Sequence, residues 1–88
     1  MVFSMSGNLL RFCNFRNEIE VQGETIEQGV DRLVMECPGL RPVLLDGNGK
    51  LRGVHRIFRN GDIVMQDELA QPCKPNDEIS ILTAIAGG

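Results

Sequence analysis

The chain ends with the stretch Ile79-Ser80-Ile81-Leu82-Thr83-Ala84-Ile85-Ala86-Gly87-Gly88, which combines a strand pattern with two glycines. Two isoleucines alternate with the polar Ser80, and this is the period of a half-buried β-strand. Small residues follow, so we expect residues 84–88 to form a flexible tail. The carboxylate of Gly88 should be ionised at neutral pH, because an α-carboxyl group titrates at about 3.3–3.7. An ionised carboxylate is a poor electrophile, so acyl chemistry at this end requires activation by another molecule.

The composition indicates one soluble, acidic domain. The chain has 88 residues and a formal net charge of −3, and this length is sufficient for a single hydrophobic core without disulfides. Phosphate binding requires a basic excess, so the charge argues against nucleic acid as the main partner. No apolar run approaches the roughly 18 residues of a membrane span, and the amino end lacks the pattern of a signal peptide. We therefore expect a cytoplasmic protein that binds neither nucleic acid nor membrane.

The cysteines do not predict a metal site. Cys13, Cys37 and Cys73 are far apart and contain no C-x-x-C pair, whereas structural zinc sites usually include at least one close pair of ligands. The cysteine run of an iron–sulfur ferredoxin is also absent. His55 has no recognisable Ser or Cys partner in the sequence, so no catalytic group is assigned. We expect buried or idle thiols, no metal, and no enzymatic activity of the chain itself.

The first quarter of the chain predicts a hairpin. Residues 2–5 begin as a strand, and after an interruption at Gly7-Asn8 the mostly apolar residues 9–13 are interpreted as the continuation of this strand and its outgoing loop. Apolar and charged residues alternate over 18–22, which predicts a second strand with one solvated face. Two strands joined by a short polar loop favour a hairpin.

A helix is predicted to begin at Thr25. The stretch Thr25-Ile26-Glu27-Gln28 has the capping-box pattern, and Pro38-Gly39 predicts the end of the helix. An apolar stripe with helical spacing lies between them, formed by Ile26, Val30, Leu33, Val34 and Cys37. Gly29 lies close to this stripe and costs about 1 kcal/mol relative to alanine in a helix interior. Either the helix approaches the sheet closely there, or the glycine is simply tolerated.

The second half predicts further strands joined by turns. Strands are expected over 43–45, 54–58 and 63–65 and in the closing stretch, with turns at 46–49 and at Asn60-Gly61. In the loop before the last strand, Asn76 is expected to take the left-handed conformation that would otherwise favour glycine. The sum is a single α+β roll over residues 1–88, in which one helix packs its apolar stripe on one face of a sheet.

The strand over 54–58 can bury either of its faces. Ile57 shares a face with His55 and Arg59, whereas Phe58 shares one with Val54 and Arg56. The basic or potentially basic groups in this region are Arg52, His55, Arg56 and Arg59. A solvated strand face accounts for them, and so does a docking surface for an acidic patch on a partner.

The order of elements, together with the terminal Ile-Ala-Gly-Gly, resembles the β-grasp, ubiquitin-like sulfur carriers of the molybdopterin and thiamine families. The most similar subgroup includes carriers that serve cysteine, homocysteine or siderophore biosynthesis. Asn76 departs from relatives that have glycine there. The local matches extend over nearly the whole chain and are Leu9-Leu10-Arg11, Gly23-Glu24-Thr25-Ile26, Pro38-Gly39-Leu40-Arg41, Asp46-Gly47-Asn48-Gly49-Lys50-Leu51, Ile57-Phe58-Arg59-Asn60-Gly61 and Asn76-Asp77-Glu78-Ile79.

The resemblance implies a mixed sheet packed on one main helix, and a carrier cycle. An activating enzyme of the ubiquitin-activating type uses ATP to adenylate the carboxylate of Gly88, and sulfur then replaces the leaving group to give a thiocarboxylate. A downstream sulfur-transfer enzyme uses this group in biosynthesis, so the chain is a protein cosubstrate with no bound cofactor. A metalloprotease is a further implied partner, because some relatives are made with an extension that must be trimmed. The residues expected to be recognised by the activating enzyme are Gly87, Ala86, Ile85 and Ala84.

Leu82, Phe58, Arg56 and Arg59 are the candidate docking surface for the activating enzyme. Two other functions remain open on the sequence. In one, the chain is a ubiquitin-like modifier that is conjugated to protein lysines through the same tail. In the other, it is a β-grasp interaction module and the two glycines are incidental.

Overall fold

The computed structural model describes residues 1–83, apart from the side chain of Asn8, so the predictions for residues 84–88 lie outside the described residues. Within this range it shows a mixed five-stranded sheet and one main helix, which confirms the α+β class. The strands are β1 (Val2–Met5), β2 (Glu18–Glu20), β3 (His55–Arg59), β4 (Asp62–Val64) and β5 (Glu78–Thr83). The α-helices are α1 (Ile26–Glu36) and α2 (Arg41–Leu44), and 3-10 helices cover Gly7–Cys13, Pro38–Leu40 and Gln66–Glu68.

The last strand lies at the centre of the sheet. The strand order is β2-β1-β5-β3-β4, with β1 and β5 parallel and the other neighbours antiparallel. In the parallel pair Val2 lies opposite Glu78, and Met5 lies opposite Ile81. The carboxyl ends of β1 and β5 therefore meet at the same edge of the sheet.

Helix α1 begins where the sequence predicts. The Thr25 hydroxyl accepts a hydrogen bond from the backbone N–H of Gln28 at 3.1 Å, and the Gln28 side chain accepts one from the N–H of Glu24 at 2.9 Å. The return bond of the capping box thus reaches one residue further back than expected, yet it still occupies a donor at the helix start. The predicted stripe is confirmed, because its members are all buried: Ile26, Val30, Leu33, Val34 and Cys37.

The close approach of α1 to the sheet takes place at Gly29. A Cβ atom at this position would lie 3.0 Å from a ring carbon of Phe3 and would overlap the side chain of Met1. Phe3 is completely buried in β1. The interpretation that the helix approaches the sheet closely at Gly29 is therefore confirmed.

Two predicted strand segments are helical turns. Residues 9–13 belong to the 3-10 helix, in which Leu9 and Cys13 are buried. Residues 43–44 form the end of α2, where the N–H of Leu45 donates to the carbonyl of Arg41 at 2.9 Å. A proline in the first turn of α2 favours this helix, because its missing N–H is not required there. Only an isolated bridge between Leu45 and Leu51 remains of the predicted strand.

The turns predicted at 46–49 and at Asn60-Gly61 are both confirmed. Asp46 accepts hydrogen bonds from the N–H groups of Asn48 at 2.8 Å and Lys50 at 3.0 Å, and these bonds, led by the one from Lys50, lower the pKa of its carboxyl group. Asn60 and Gly61 take positive φ angles of 51° and 91° in the β3–β4 hairpin. The prediction of a left-handed conformation for Asn76 is wrong.

The non-glycine residues with positive φ in the described part of the chain are Asn14, Phe15 and Asn60. Instead of a left-handed residue 76, a buried carboxylate closes this loop. Asp77 accepts from the N–H of Lys74 at 2.8 Å and from the side-chain amide of Asn60 at 3.0 Å. These bonds, the first being the stronger influence, lower the pKa of Asp77.

Candidate functional site

The base of the tail is fixed by a buried histidine. Thr83 is the last residue of β5 and lies opposite His55 of β3. The hydroxyl of Thr83 lies 3.1 Å from His55 Nδ1, and the carbonyl oxygen of Val43 lies 2.8 Å from His55 Nε2. A carbonyl oxygen can only accept, so in the neutral ring Nε2 carries the proton and Nδ1 accepts from the Thr83 hydroxyl. One side chain therefore ties the end of β5 to β3 and to α2.

Sequence reasoning gave His55 no partner. Its contacts come from residues 28 and 12 positions away in the chain, so no local spacing indicates them. The signal that could have found the Thr83 contact is the antiparallel register of β3 and β5, which requires the strand order of the whole sheet.

The sheet face opposite α1 brings together three of the four residues predicted to dock the activating enzyme. Arg56 lies opposite Leu82 in the register of β3 and β5, and Phe58 lies opposite Ile63 in the β3–β4 hairpin. Leu82 is 46% exposed and Ile63 is 53% exposed, whereas Phe58 is half-buried. We call these four residues, Arg56, Phe58, Ile63 and Leu82, the outer sheet face.

Arg59 does not belong to the outer sheet face. It shares the other face of β3 with His55 and Ile57, which are both buried, and its guanidinium group donates to the carbonyl of Pro72 at 3.2 Å. The prediction that Arg59 docks together with Arg56, Phe58 and Leu82 is therefore corrected. The buried face of β3 is the one that carries His55 and Ile57. Sequence reasoning also missed Ile63, which the two-residue turn at Asn60-Gly61 places directly opposite Phe58.

Arg56 of the outer sheet face, and Arg52 four residues before it in the chain, donate to backbone carbonyls. Arg52 donates from Nε to the carbonyl of Pro42 at 3.0 Å, and Arg56 donates from Nη1 to that of Gly53 at 2.7 Å. Both residues are exposed. A guanidinium group has five N–H donors, so these bonds orient the two groups and leave donors for an acidic partner.

The cysteines are placed as buried or partly buried thiols. Cys13 and Cys37 are buried and Cys73 is half-buried. Burial raises the pKa of Cys13 to about 12, and a side-chain hydrogen bond with Cys37 and the charge of Cys37 contribute to this rise.

Within residues 1–83, no group of three or more His, Cys, Asp or Glu side chains is arranged to hold a metal ion. None of the helices in this range is long and apolar enough to cross a membrane.

Comparisons with known proteins agree with the fold. A family model described as the ThiS family matches residues 10–88. No curated protein sequence matches the chain significantly.

Several solved structures match over almost their whole length. The BexX/CysO complex of Amycolatopsis orientalis has a matching chain with 24% identity, a TM-score of 0.85, and coverage of 99% of this chain and 98% of that chain. Small archaeal modifier protein 1 of Methanosarcina acetivorans matches with 24% identity, a TM-score of 0.86 and coverage of 99% and 94%. CysO of Mycobacterium tuberculosis matches with 23% identity, a TM-score of 0.82 and coverage of 96% and 98%.

Proposed function

Because the chain belongs to the ThiS family, whose model extends to Gly88, and has the β-grasp fold of ubiquitin-like sulfur carriers and modifiers, we propose that it carries sulfur as a thiocarboxylate on Gly88. The family match through the terminal glycine is the observation that carries the proposal. The fold adds support, because β5 is paired with β1 as far as Ile81 and with β3 as far as Thr83, the residue that precedes the tail.

The proposed reaction has two steps, both on a partner enzyme. A carboxylate oxygen of Gly88 attacks the α-phosphorus of ATP, and pyrophosphate leaves. A sulfide nucleophile then attacks the carbonyl carbon of the acyl adenylate, and AMP leaves with the bond electrons, which yields the thiocarboxylate. A sulfur-transfer enzyme consumes this group in the biosynthesis of a sulfur amino acid, a siderophore or a cofactor. The chain contributes the acyl group and the recognition surface, and the enzyme contributes the catalytic groups.

The length and composition of the tail suit this reaction. The five residues after Thr83 can extend by about 17 Å at roughly 3.4 Å each, which is enough to enter a narrow channel. Gly87 and Gly88 have no Cβ, so the backbone can approach a nucleotide closely. Ala84, Ile85 and Ala86 are the proposed recognition residues between the sheet and the two glycines.

The outer sheet face is the proposed docking surface for the activating enzyme. Its exposed apolar side chains, Leu82 and Ile63, surround the half-buried Phe58, and Arg56 adds a positive charge beside them. A central apolar cluster with a charged neighbour is typical of the energetic centre of a protein interface. Leu82 also lies two residues before the tail, so an enzyme that binds the tail can contact this face at the same time.

The test is to incubate the protein with its cognate activating enzyme, ATP and a sulfide source, and to measure the intact mass. We expect one oxygen to be exchanged for sulfur. Gly88→Ala, or one residue added after Gly88, should block the exchange while the melting temperature stays nearly unchanged. Gly47→Ala is the matched control, because a Cβ there meets open space and the turn at 46–49 has no proposed role in the reaction. Normal turnover of the extended protein, with the extension still present by mass, would contradict the proposal.

A metalloprotease that trims such an extension remains a proposed maturation partner.

A second candidate function is conjugation to protein lysines, because one structural neighbour is described as a small archaeal modifier protein. A lysine amine would attack the same activated carbonyl and form an isopeptide bond with Gly88. A ladder of adducts on immunoblots, with the terminal glycine linked to lysine in peptide mass spectra, would support this function. If truncation of Gly87 and Gly88 left the biological activity intact, the chain would instead act as an interaction module.

A further inference from the structure

The 3-10 helix and loop between β1 and β2 expose two aromatic side chains. Phe12 is 38% exposed and Phe15 is 75% exposed. Burying a phenylalanine side chain normally stabilises a fold, and the exposed ring of Phe15 contributes little of this stabilisation. An exposed aromatic ring of this kind is a common energetic centre of a protein interface.

The backbone at Phe15 is held in an unfavourable conformation. Asn14 and Phe15 both have positive φ angles, 54° and 60°, and the left-handed region is unfavourable for a bulky residue. Two hydrogen bonds maintain this turn: the N–H of Phe15 donates to the carbonyl of Leu10 at 2.8 Å, and that of Arg16 donates to Cys13 at 3.0 Å. The buried Cys13 fixes the turn to the core. Local strain that the surrounding structure maintains is frequently associated with function.

Exposed arginines lie next to the two rings in the sequence. Arg11 and Arg16 flank the pair in sequence, and both side chains are exposed. Arg41 is exposed as well, and it follows the 3-10 helix Pro38–Leu40, in which a Cβ at Gly39 would lie 3.4 Å from the carbonyl oxygen of Phe12. The chain as a whole carries a net charge of −3, whereas these three exposed residues are all basic. Electrostatic complementarity therefore favours an acidic partner surface.

This surface projects from the edge of the sheet where the tail begins. Strands β1 and β5 are parallel, and Met5 lies opposite Ile81. The loop that carries the two rings leaves β1 after Met5, and the tail leaves β5 after Thr83, at the same edge. An enzyme that draws the tail into its active site must cover this edge. It then meets the loop in addition to the outer sheet face.

We propose that Phe12, Phe15 and Arg16 form a second docking surface for the activating enzyme, which would supply an apolar pocket for the Phe15 ring with acidic side chains around it. This inference rests on the proposed function. It adds a contact that is separate from the tail and from the outer sheet face, and it defines the chemistry that the enzyme surface must have.

The test is ATP-dependent adenylation of full-length protein by the activating enzyme, measured as pyrophosphate exchange over a range of carrier concentrations. Phe15→Ala should raise KM about tenfold or more, which corresponds to a loss of about 1.4 kcal/mol or more and is typical of truncating an aromatic interface centre, and kcat should change little. Phe15→Gly should raise KM to the same extent while the melting temperature stays equal or rises, because glycine adopts a φ of +60° without strain. Met35→Ala is the control, since Met35 is 70% exposed on α1 and should leave KM unchanged.

The charge contribution is tested with Arg16→Glu. The KM of the wild-type protein should rise with salt concentration, and this dependence should be weaker in the variant. An unchanged KM in both Phe15 variants would overturn the inference, even if a later sulfur-transfer step were impaired. Failure of the proposed function has a different signature, because wild-type protein would then give no pyrophosphate exchange at all.

Discussion

Replacing Thr83 with valine tests whether His55 fixes the base of the tail. Valine keeps the branched shape of threonine and removes the hydroxyl that lies 3.1 Å from His55 Nδ1. The lost hydrogen bond is worth about 1 kcal/mol, and leaving a buried acceptor without a partner costs about 1–3 kcal/mol. Thr83 is exposed, so water can partly replace its hydroxyl, and the lower part of this range applies. We expect Thr83→Val to lower the free energy of unfolding by about 1–1.5 kcal/mol.

The assay is urea denaturation followed by far-UV circular dichroism, because the chain has no tryptophan or tyrosine for fluorescence. A loss of this size should lower the melting temperature by roughly 4–12 °C in a domain of 88 residues. Thr83→Ser retains the hydroxyl and should stay within about 0.5 kcal/mol of the wild type. Ser80→Ala is the control, because it removes a hydroxyl from the same strand on the opposite face, across from Phe58.

Equal stability of Thr83→Val and Thr83→Ser would refute the reasoning. It would mean that the imidazole of His55 gains nothing from the hydroxyl, and that the end of β5 is held only by its backbone pairing. The dependence of unfolding on urea concentration should be the same in all the variants, because a change in this slope would indicate a change in the surface exposed on unfolding.

Three further outcomes are expected. Gly29→Ala should lower the free energy of unfolding by about 1 kcal/mol in urea denaturation. Overpacking against Phe3 costs about 1–3 kcal/mol, whereas alanine stabilises the helix by about 1 kcal/mol relative to glycine. A more stable variant would contradict the close contact. The pKa of Asp77 is lowered in the folded state. The ionised carboxylate of Asp77 therefore stabilises the fold above the ordinary pKa of 3.8, and this stabilisation is lost as the pH falls through the folded value. In acid titrations followed by circular dichroism, the stability of Asp77→Asn should fall less steeply with decreasing pH than that of the wild type. With its pKa raised to about 12, Cys13 should resist alkylation at pH 8 in the folded protein, while the half-buried Cys73 reacts. Peptide mass spectra in which Cys13 is alkylated before Cys73 would be inconsistent with a buried Cys13 thiol.

The helix α1 could be predicted from sequence because independent signals agree on it. The cap at Thr25, the stripe of buried residues and the stop at Pro38 all fit one helix and no strand. The same holds for the hairpin turn at Asn60-Gly61, where both residues take positive φ angles. In these segments the local preference and the tertiary packing select the same conformation.

Short apolar runs were predicted wrongly because their length does not distinguish a strand from a helical turn. Residues 43–45 and 9–13 each bury two apolar side chains, and either conformation can bury so few. The decision comes from packing, which places Leu40 and Leu44 together in the core. Tertiary structure also decides which face of β3 is buried, since alternation alone allows both. For the same reason Arg59 could not be separated from Arg56 before the strand register was known.

The boundary between the residues that form the fold and those available to partners lies within β5. Ile79 and Ile81 are fully buried, whereas Leu82 and Thr83 are exposed. Truncating a buried isoleucine costs about 2–5 kcal/mol, while a substitution at an exposed position usually changes stability by less than about 0.5 kcal/mol. Variants at Ile79 and Ile81 should therefore act through folding, and Leu82 is the first position after these two at which an effect on partner binding can be measured in a protein of nearly unchanged stability. The central position of β5 makes this separation possible, because two neighbouring strands hold the strand while its last residues remain accessible.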